Sequence, residues 1–151
     1  MMNIYYGYLL STLFILTVNS CLSSAPDKNQ LSNQIKIYEV QAWLNLMPGG
    51  PGTFHIVGKY SISSELNPEL IQLKEIIVLS NEKQIYKITP KTEMSQTFSE
   101  KEKEYSFYSD SQLKIAEEIS DKNEITGIFI FTYGDEIIEK TISQVELTRA
   151  Y

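Results

Sequence analysis

Hydrophobic and polar residues alternate with a period of two along most of the chain after residue 33, a pattern typical of β-strands. The clearest alternation runs over residues 53–63, where Phe54, Ile56, Tyr60 and Ile62 share one face. Six further strands are predicted over residues 34–47, 73–80, 83–89, 104–108, 125–133 and 136–148. Because no helical pattern separates them, we expect an all-β domain over residues 34–151: an antiparallel immunoglobulin-like β-sandwich of about seven strands.

Local irregularities in this pattern predict where strands bend or turn. The hydrophobic positions change parity around Tyr38 and Glu39, which indicates a bulge or a strand that switches sheets. Asn81 and Glu82 separate two strands as a tight hairpin turn would. Residues 112–120 fit a strand and a short helical turn equally well, and we expect a loop with a possible helical turn there.

The same pattern predicts the core. Residues 125–133 are almost continuously β-branched or aromatic, which is typical of a central strand buried on both sides. We therefore expect seven side chains from four strands to be largely buried: Trp43, Phe54, Ile56, Tyr60, Val78, Ile128 and Ile130.

An apolar stretch over residues 8–18 precedes these strands and is shorter than the ~20 residues that a membrane-spanning helix needs. Its length is that of a signal-peptide core. A polar run over residues 23–30 follows it, with the Ser, Pro and Asn content of a linker. We therefore interpret residues 1–20 as a signal peptide and residues 21–33 as a flexible tether.

Val18, Asn19 and Ser20 lead directly into Cys21, the single cysteine of the chain. This run resembles the lipobox of bacterial lipoproteins. The resemblance implies lipidation at Cys21, palmitate among the acyl chains, and a location in the cell envelope, either on the periplasmic face of the outer membrane or at the cell surface. The alternative is an ordinary secretory signal that is cut near the same place and leaves a free thiol.

Length and charge narrow the class of partner. Removing 20 residues from 151 leaves 131, which suits one domain with a real core. With no cysteine after Cys21, packing alone must hold this domain together. A net charge of −6 makes nucleic acid an unexpected partner, whereas a membrane, through the acyl chains, and an envelope protein remain candidates.

The sequence offers little catalytic chemistry. A serine triad, a Cys–His pair or a zinc centre each requires histidine with partners, and His55 is the single histidine. Acidic residues are plentiful but fall in charge-mixed stretches such as residues 100–104, which favours solvated surface over the paired carboxylates of a hydrolase. We therefore predict no catalytic residues, no metal and no cofactor, and a protein that is not an enzyme.

One loop has an unusual composition, with two prolines and three glycines in five consecutive residues. Proline restricts φ and glycine frees it, so a defined wide turn is expected. The loop is either a stiff connection between strands or a binding loop with Trp43 and Phe54 beside it. The candidate binding residues are Met47, Pro48, Gly49, Gly50, Pro51, Gly52 and His55.

Residues 40–50 are similar to the opening strand and Pro-rich turn of periplasmic copper chaperones with a cupredoxin-like sandwich. The resemblance implies a sandwich fold and, as an alternative function, copper binding through His and Met ligands. The His-x-Met pair of that family is absent here, because Ile56 and Val57 follow His55. The expected function is an envelope lipoprotein that serves as a non-catalytic binding or structural accessory module, with copper handling and carboxylate-based hydrolysis as the alternatives.

Overall fold

A computed structural model describes residues 28–95, 102–110 and 113–151 of the chain, without the side chain of Lys28. The predicted signal peptide, the lipidation site Cys21 and the first part of the predicted tether lie outside these residues. Strands make up 66% of the structure, which confirms the prediction of an all-β fold.

The described residues form one short helix, nine strands and two 3-10 helices. The helix is α1 (Lys28–Asn33), and the 3-10 helices are Pro68–Leu70 and Glu117–Ile119. The strands are β1 (Ile35–Asn45), β2 (Thr53–Ser63), β3 (Ile71–Ser80), β4 (Lys83–Ile88), β5 (Lys91–Met94), β6 (Glu102–Tyr108), β7 (Leu113–Lys114), β8 (Glu124–Tyr133) and β9 (Glu136–Ala150).

All nine strands belong to one hydrogen-bonded sheet that is curled into a half-barrel. The order is β4-β3-β8-β9-β1-β2-β6-β5, and β7 pairs with β2 beside this path. The finer prediction, an immunoglobulin-like sandwich of seven strands, is not confirmed, because β9 pairs with both β8 and β1 and so joins what would be two sheets. Strands β4 and β5, the two ends of the path, are separated in the chain by only Thr89 and Pro90.

The core lies on the concave face of the curled sheet. Phe107 of β6 and Phe129 of β8 meet edge to face, with ring centroids 5.4 Å apart, although three strands separate them along the sheet. Phe54 of β2 stacks on Tyr86 of β4 at 4.6 Å. These contacts are possible only because the curl brings distant strands face to face, so burial of aromatic rings holds the curvature.

The core prediction is confirmed for Phe54, Ile56, Tyr60 and Val78, which are all at most 2% exposed. It is wrong for three residues that lie on the outer face of the sheet and are only partly buried: Trp43, Ile128 and Ile130. Strand β8 is also not buried on both sides, since its concave face carries Phe129 and Phe131 while the other face stays partly open. Both parities of this strand are apolar, so the pattern did not distinguish them.

The predicted irregularities are present. Strand β1 has a bulge between Tyr38 and Gln41, with Glu39 at a φ of 54°. Asn81 and Glu82 form the hairpin turn between β3 and β4, both with positive φ. The ambiguous segment over residues 112–120 contains both the short strand β7 and the 3-10 helix Glu117–Ile119.

The predicted tether is partly ordered, which corrects the expectation of a flexible segment up to residue 33. Its last six residues form α1, and Leu31 on this helix is 1% exposed and part of the core. A single buried leucine in a polar segment gives no periodic signal, and so the sequence pattern missed it.

Candidate functional site

The Pro-Gly loop connects β1 to β2, and its first residues are held by two hydrogen bonds. The backbone N–H of Met47 donates to the Asn45 side-chain oxygen at 3.1 Å, an Asx-type turn. The backbone N–H of Leu46 donates to the carbonyl of Ala150 on β9 at 2.7 Å. The loop therefore begins from a position set by two neighbouring strands.

The far end of the loop is held by β7 and the residue after it. The backbone N–H of Ile115 donates to the carbonyl of Gly52 at 3.3 Å. A Cβ at Gly52 would lie 2.6 Å from the Cδ1 atom of Ile115, so a larger residue here would require the Ile115 side chain to move. Gly49 has a φ of 112°, a conformation that residues with a Cβ rarely adopt.

Apolar side chains are exposed at this end of the molecule. Leu46 is 37% exposed, Met47 is 57% exposed, and Tyr151, next to Ala150, is 81% exposed. Pro48, Gly49, Gly50 and Pro51 are also exposed. We call Leu46, Met47 and Tyr151 the apolar tip.

His55 lies on the outer face of the sheet beside the loop and is held in place there. Its ring stacks on Trp43 of the neighbouring strand, with centroids 5.1 Å apart and an interplanar angle of 11°. Its Nε2 atom is 2.8 Å from the hydroxyl of Thr53. Partial burial disfavours the charged imidazolium and lowers the pKa of His55 below its ordinary value.

His55 is thus linked to the end of the loop through Thr53, the first residue of β2. The sequence identified the loop and its composition but missed the residues that hold it, Asn45 and Ile115, and the exposed Leu46 and Tyr151. An Asn two residues before a proline-containing turn is a signal that could have been used. Ile115 and Tyr151 are distant in the chain and have no local signal.

A charged network covers the outer face of β1, β2 and β6. The Lys59 ammonium lies 2.9 Å from Glu39 and 3.9 Å from Glu104, and Lys36 lies 2.7 Å from Glu102. The hydroxyl of Tyr38 donates to Glu104, and burial together with this carboxylate raises the pKa of Tyr38. These carboxylates are engaged with lysine or tyrosine, an arrangement typical of a neutralised surface.

No helix in the described ranges is both long and apolar enough to cross a membrane. Within the same ranges, no three His, Cys, Asp or Glu side chains are grouped so that they could hold a metal ion.

Comparison of the chain with protein-family models, with curated proteins and with solved structures gave no match. The geometry of the loop and of the residues around it is therefore the basis for inferring a function.

Proposed function

We propose that this protein is a bacterial envelope lipoprotein, held to a membrane by acyl chains on Cys21, that binds a protein partner without catalysis. The observation that carries the binding role is the apolar tip: exposed Leu46, Met47 and Tyr151 at a loop whose two ends are held by hydrogen bonds. The membrane attachment is supported by the leader and the lipobox-like run before Cys21.

The position of the tip suits a partner that is reached away from the membrane. Strand β1 runs from α1 at its start to the loop at its end. Eleven residues at ~3.3 Å each give roughly 35 Å between these points. A chain that is attached to the membrane upstream of α1 would therefore carry the tip at the opposite end of the domain.

The composition of the loop favours binding over mere connection. Two prolines and two held ends limit the conformations that the loop must give up when a partner binds, so less entropy is lost. The leucine, methionine and tyrosine side chains present apolar surface that is removed from water when a partner binds, and the flexible methionine side chain adapts to irregular surfaces. The tip therefore suits a shallow apolar groove on another envelope protein.

Membrane attachment is tested by Cys21→Ala. Without the thiol no diacylglycerol can be linked, so the variant should accumulate as an uncut precursor that incorporates no radiolabelled palmitate. At ~0.8 kcal/mol per buried CH₂, two chains give stable attachment where one would be marginal. Normal processing and labelling of Cys21→Ala would contradict the lipoprotein proposal.

Partner binding is tested by a photo-crosslinking residue placed at position 47 in the intact envelope. Position 94 is the matched control, because Met94 on β5 is similarly exposed, at 64%. We expect one protein adduct of constant mass from position 47 and none of that mass from position 94. Absence of an adduct at 47, or the same adduct at both positions, would contradict a partner site at the tip.

A further inference from the structure

Strands β1 and β9 are hydrogen-bonded along only part of their length. Their parallel ladder begins at Ala42 and Leu147 and continues to Asn45 and Ala150. Three residues before the ladder both strands are distorted, with Glu39 at a φ of 54° and Gln144 at a φ of 58°. On the N-terminal side of these two distortions, β1 pairs only with β2 and β9 only with β8, so the two strands diverge.

The divergence leaves an open cleft of about 400 Å³ between the two strands. Helix α1 contacts both of them, and its Leu31 is buried in the core. The cleft is lined by one residue from α1 and three from each strand: Asn33, Ile35, Lys36, Ile37, Lys140, Thr141 and Ile142.

Lys140 is the unusual residue of this cleft. In the antiparallel pairing of β8 and β9 it lies opposite Phe129, which is fully buried. Lys140 therefore projects from the concave, apolar face of β9, between Ile138 and Ile142. Its side chain is partly buried, and burial lowers its pKa. Lys36, on the opposite wall, is already paired with Glu102.

No carboxylate among residues 28–95, 102–110 and 113–151 forms an ion pair with Lys140. Five other lysines of these segments each form an ion pair with a carboxylate of another part of the fold. The chain carries a net charge of −6 and has carboxylates in excess. A partly buried ammonium without a partner costs free energy, and such groups concentrate at binding sites.

We propose that the cleft between β1 and β9 binds an extended peptide that carries a carboxylate, with the peptide backbone lying along the strand edges and the carboxylate pairing with Lys140. This site is separate from the apolar tip and shares no residue with it.

The shape of the cleft favours a peptide over a compact small molecule. Its long walls are the edges of two strands that are not paired with each other, and strand edges offer alternating N–H and C=O groups to an added strand. Ile35, Ile37 and Ile142 give an apolar floor for alternate side chains of such a peptide. Lys140 then selects an acidic residue, because an acidic side chain relieves the uncompensated charge.

The probe is a fluorescein-labelled hexapeptide of alternating valine and threonine that ends in glutamate, titrated with the full chain in a mild detergent. Fluorescence polarisation should give saturable binding. We expect Lys140→Met to weaken binding of this peptide about fivefold or more. An analogue that ends in glutamine and has an amidated C-terminus carries no carboxylate, and it should bind the unaltered chain as weakly as the original peptide binds Lys140→Met. The control Lys74→Met removes an exposed lysine of β3 that does not line the cleft, and it should leave binding unchanged.

A second peptide, N-methylated at alternate residues, tests the backbone part of the proposal. It should bind at least fivefold more weakly, because methylation removes the N–H donors that strand addition needs. Retention of the unaltered melting temperature by Lys140→Met shows that the variant is folded. Equal binding by Lys140→Met and the unaltered chain, equal binding of the methylated peptide, or no binding at all would each overturn the proposal.

Discussion

At the scale of single residues, two glycines on the concave face make room for phenylalanine rings. Gly58 on β2 lies opposite the bulge of β1, and a Cβ there would lie 2.6 Å from Cζ of Phe107 and 3.2 Å from Cα of Val40. A Cβ at Gly127 would lie 2.9 Å from the ring of Phe129. The Phe107–Phe129 contact at the centre of the core thus depends on two missing side chains.

Gly58→Ala should therefore lower the free energy of unfolding by about 1–3 kcal/mol, because the added methyl group overpacks a core that includes backbone on one side. The control is Gly50→Ala, where a Cβ meets no atom within 4 Å and φ is not positive. Its expected effect is within about 0.5 kcal/mol. Urea denaturation of both variants checks this, and equal effects would show that Phe107 moves aside without cost.

The His55–Trp43 stack predicts a pH-dependent signal, because these are the single histidine and the single tryptophan of the chain. Protonated imidazole in contact with indole quenches its fluorescence. Burial lowers the pKa of His55, so the midpoint of quenching in the folded protein should lie below the ordinary value of about 6.5. His55→Gln should abolish the titration, and a midpoint above 6.5 would contradict the direction of the shift.

The lowered pKa of His55 also determines how the free energy of unfolding changes with pH. The folded state holds the neutral imidazole more strongly than the unfolded chain does. The stability contribution of His55 is therefore fully present above the unfolded pKa and is lost as the pH falls through the folded pKa.

At the scale of elements, two hairpin turns differ in how well their residues suit a left-handed backbone conformation. Glu82 in the β3–β4 turn has a φ of 63°, although it carries a Cβ, while Gly134 in the β8–β9 turn has a φ of 57° and open space around it. Asn followed by Gly is the preferred pair when both turn residues have positive φ. The first turn is therefore strained by its sequence and the second is not.

Glu82→Gly should accordingly raise the free energy of unfolding by roughly 0.5–1.5 kcal/mol, because it relieves a left-handed conformation. Gly134→Ala should lower it by a similar amount for the converse reason. Thermal and urea unfolding of both variants check the pair. Destabilisation by Glu82→Gly would mean that its side chain makes a contact worth more than the strain.

The elements also show why the sequence predicted the positions of the strands better than it predicted which face of each strand is buried. Over Thr53–Ser63 every second position is polar except Val57, so both the strand and its buried face were predicted correctly for β2. In β8 the residues on both faces are apolar, and the choice between Phe129 and Ile128 depends on which strands curl over them. Strand β5 has no such alternation, because all four of its residues are exposed, and only its pairing with β6 makes it a strand.

The loop and the cleft likewise differ in how far the sequence could predict them. The composition of residues 47–52 predicted a defined loop, since proline and glycine act locally on φ. Lys140 gave no signal, because a lysine between two isoleucines at alternate positions does not reveal whether its strand has a neighbour. That information requires the divergence of β1 and β9, which is a property of the folded sheet.

At the scale of the whole molecule, the curled sheet has two halves on either side of β9, namely β4-β3-β8 and β1-β2-β6-β5 with β7. The chain crosses between them four times: from β2 to β3, from β4 to β5, from β7 to β8 and within β9. Strand β9 pairs with β8 through Glu146 and with β1 from Leu147 onwards. The β4–β5 segment crosses at Thr89 and Pro90, where proline removes a backbone donor. Because β9 and the central rings belong to both halves, neither half has a complete core alone.

We therefore expect the two halves to unfold in one cooperative transition, with tryptophan fluorescence, which reports on β1, coinciding with far-UV circular dichroism. The coupling between halves is measured by a double-mutant cycle of Phe107→Leu and Phe129→Leu, which should give about 0.5–1.5 kcal/mol, typical of an aromatic pair. The control cycle combines Phe107→Leu with Ile77→Val on the outer face of β3, and its two effects should add. Separate transitions by the two probes, or a coupling near zero between the two rings, would mean that the halves fold independently and that the curl is held by β9 alone.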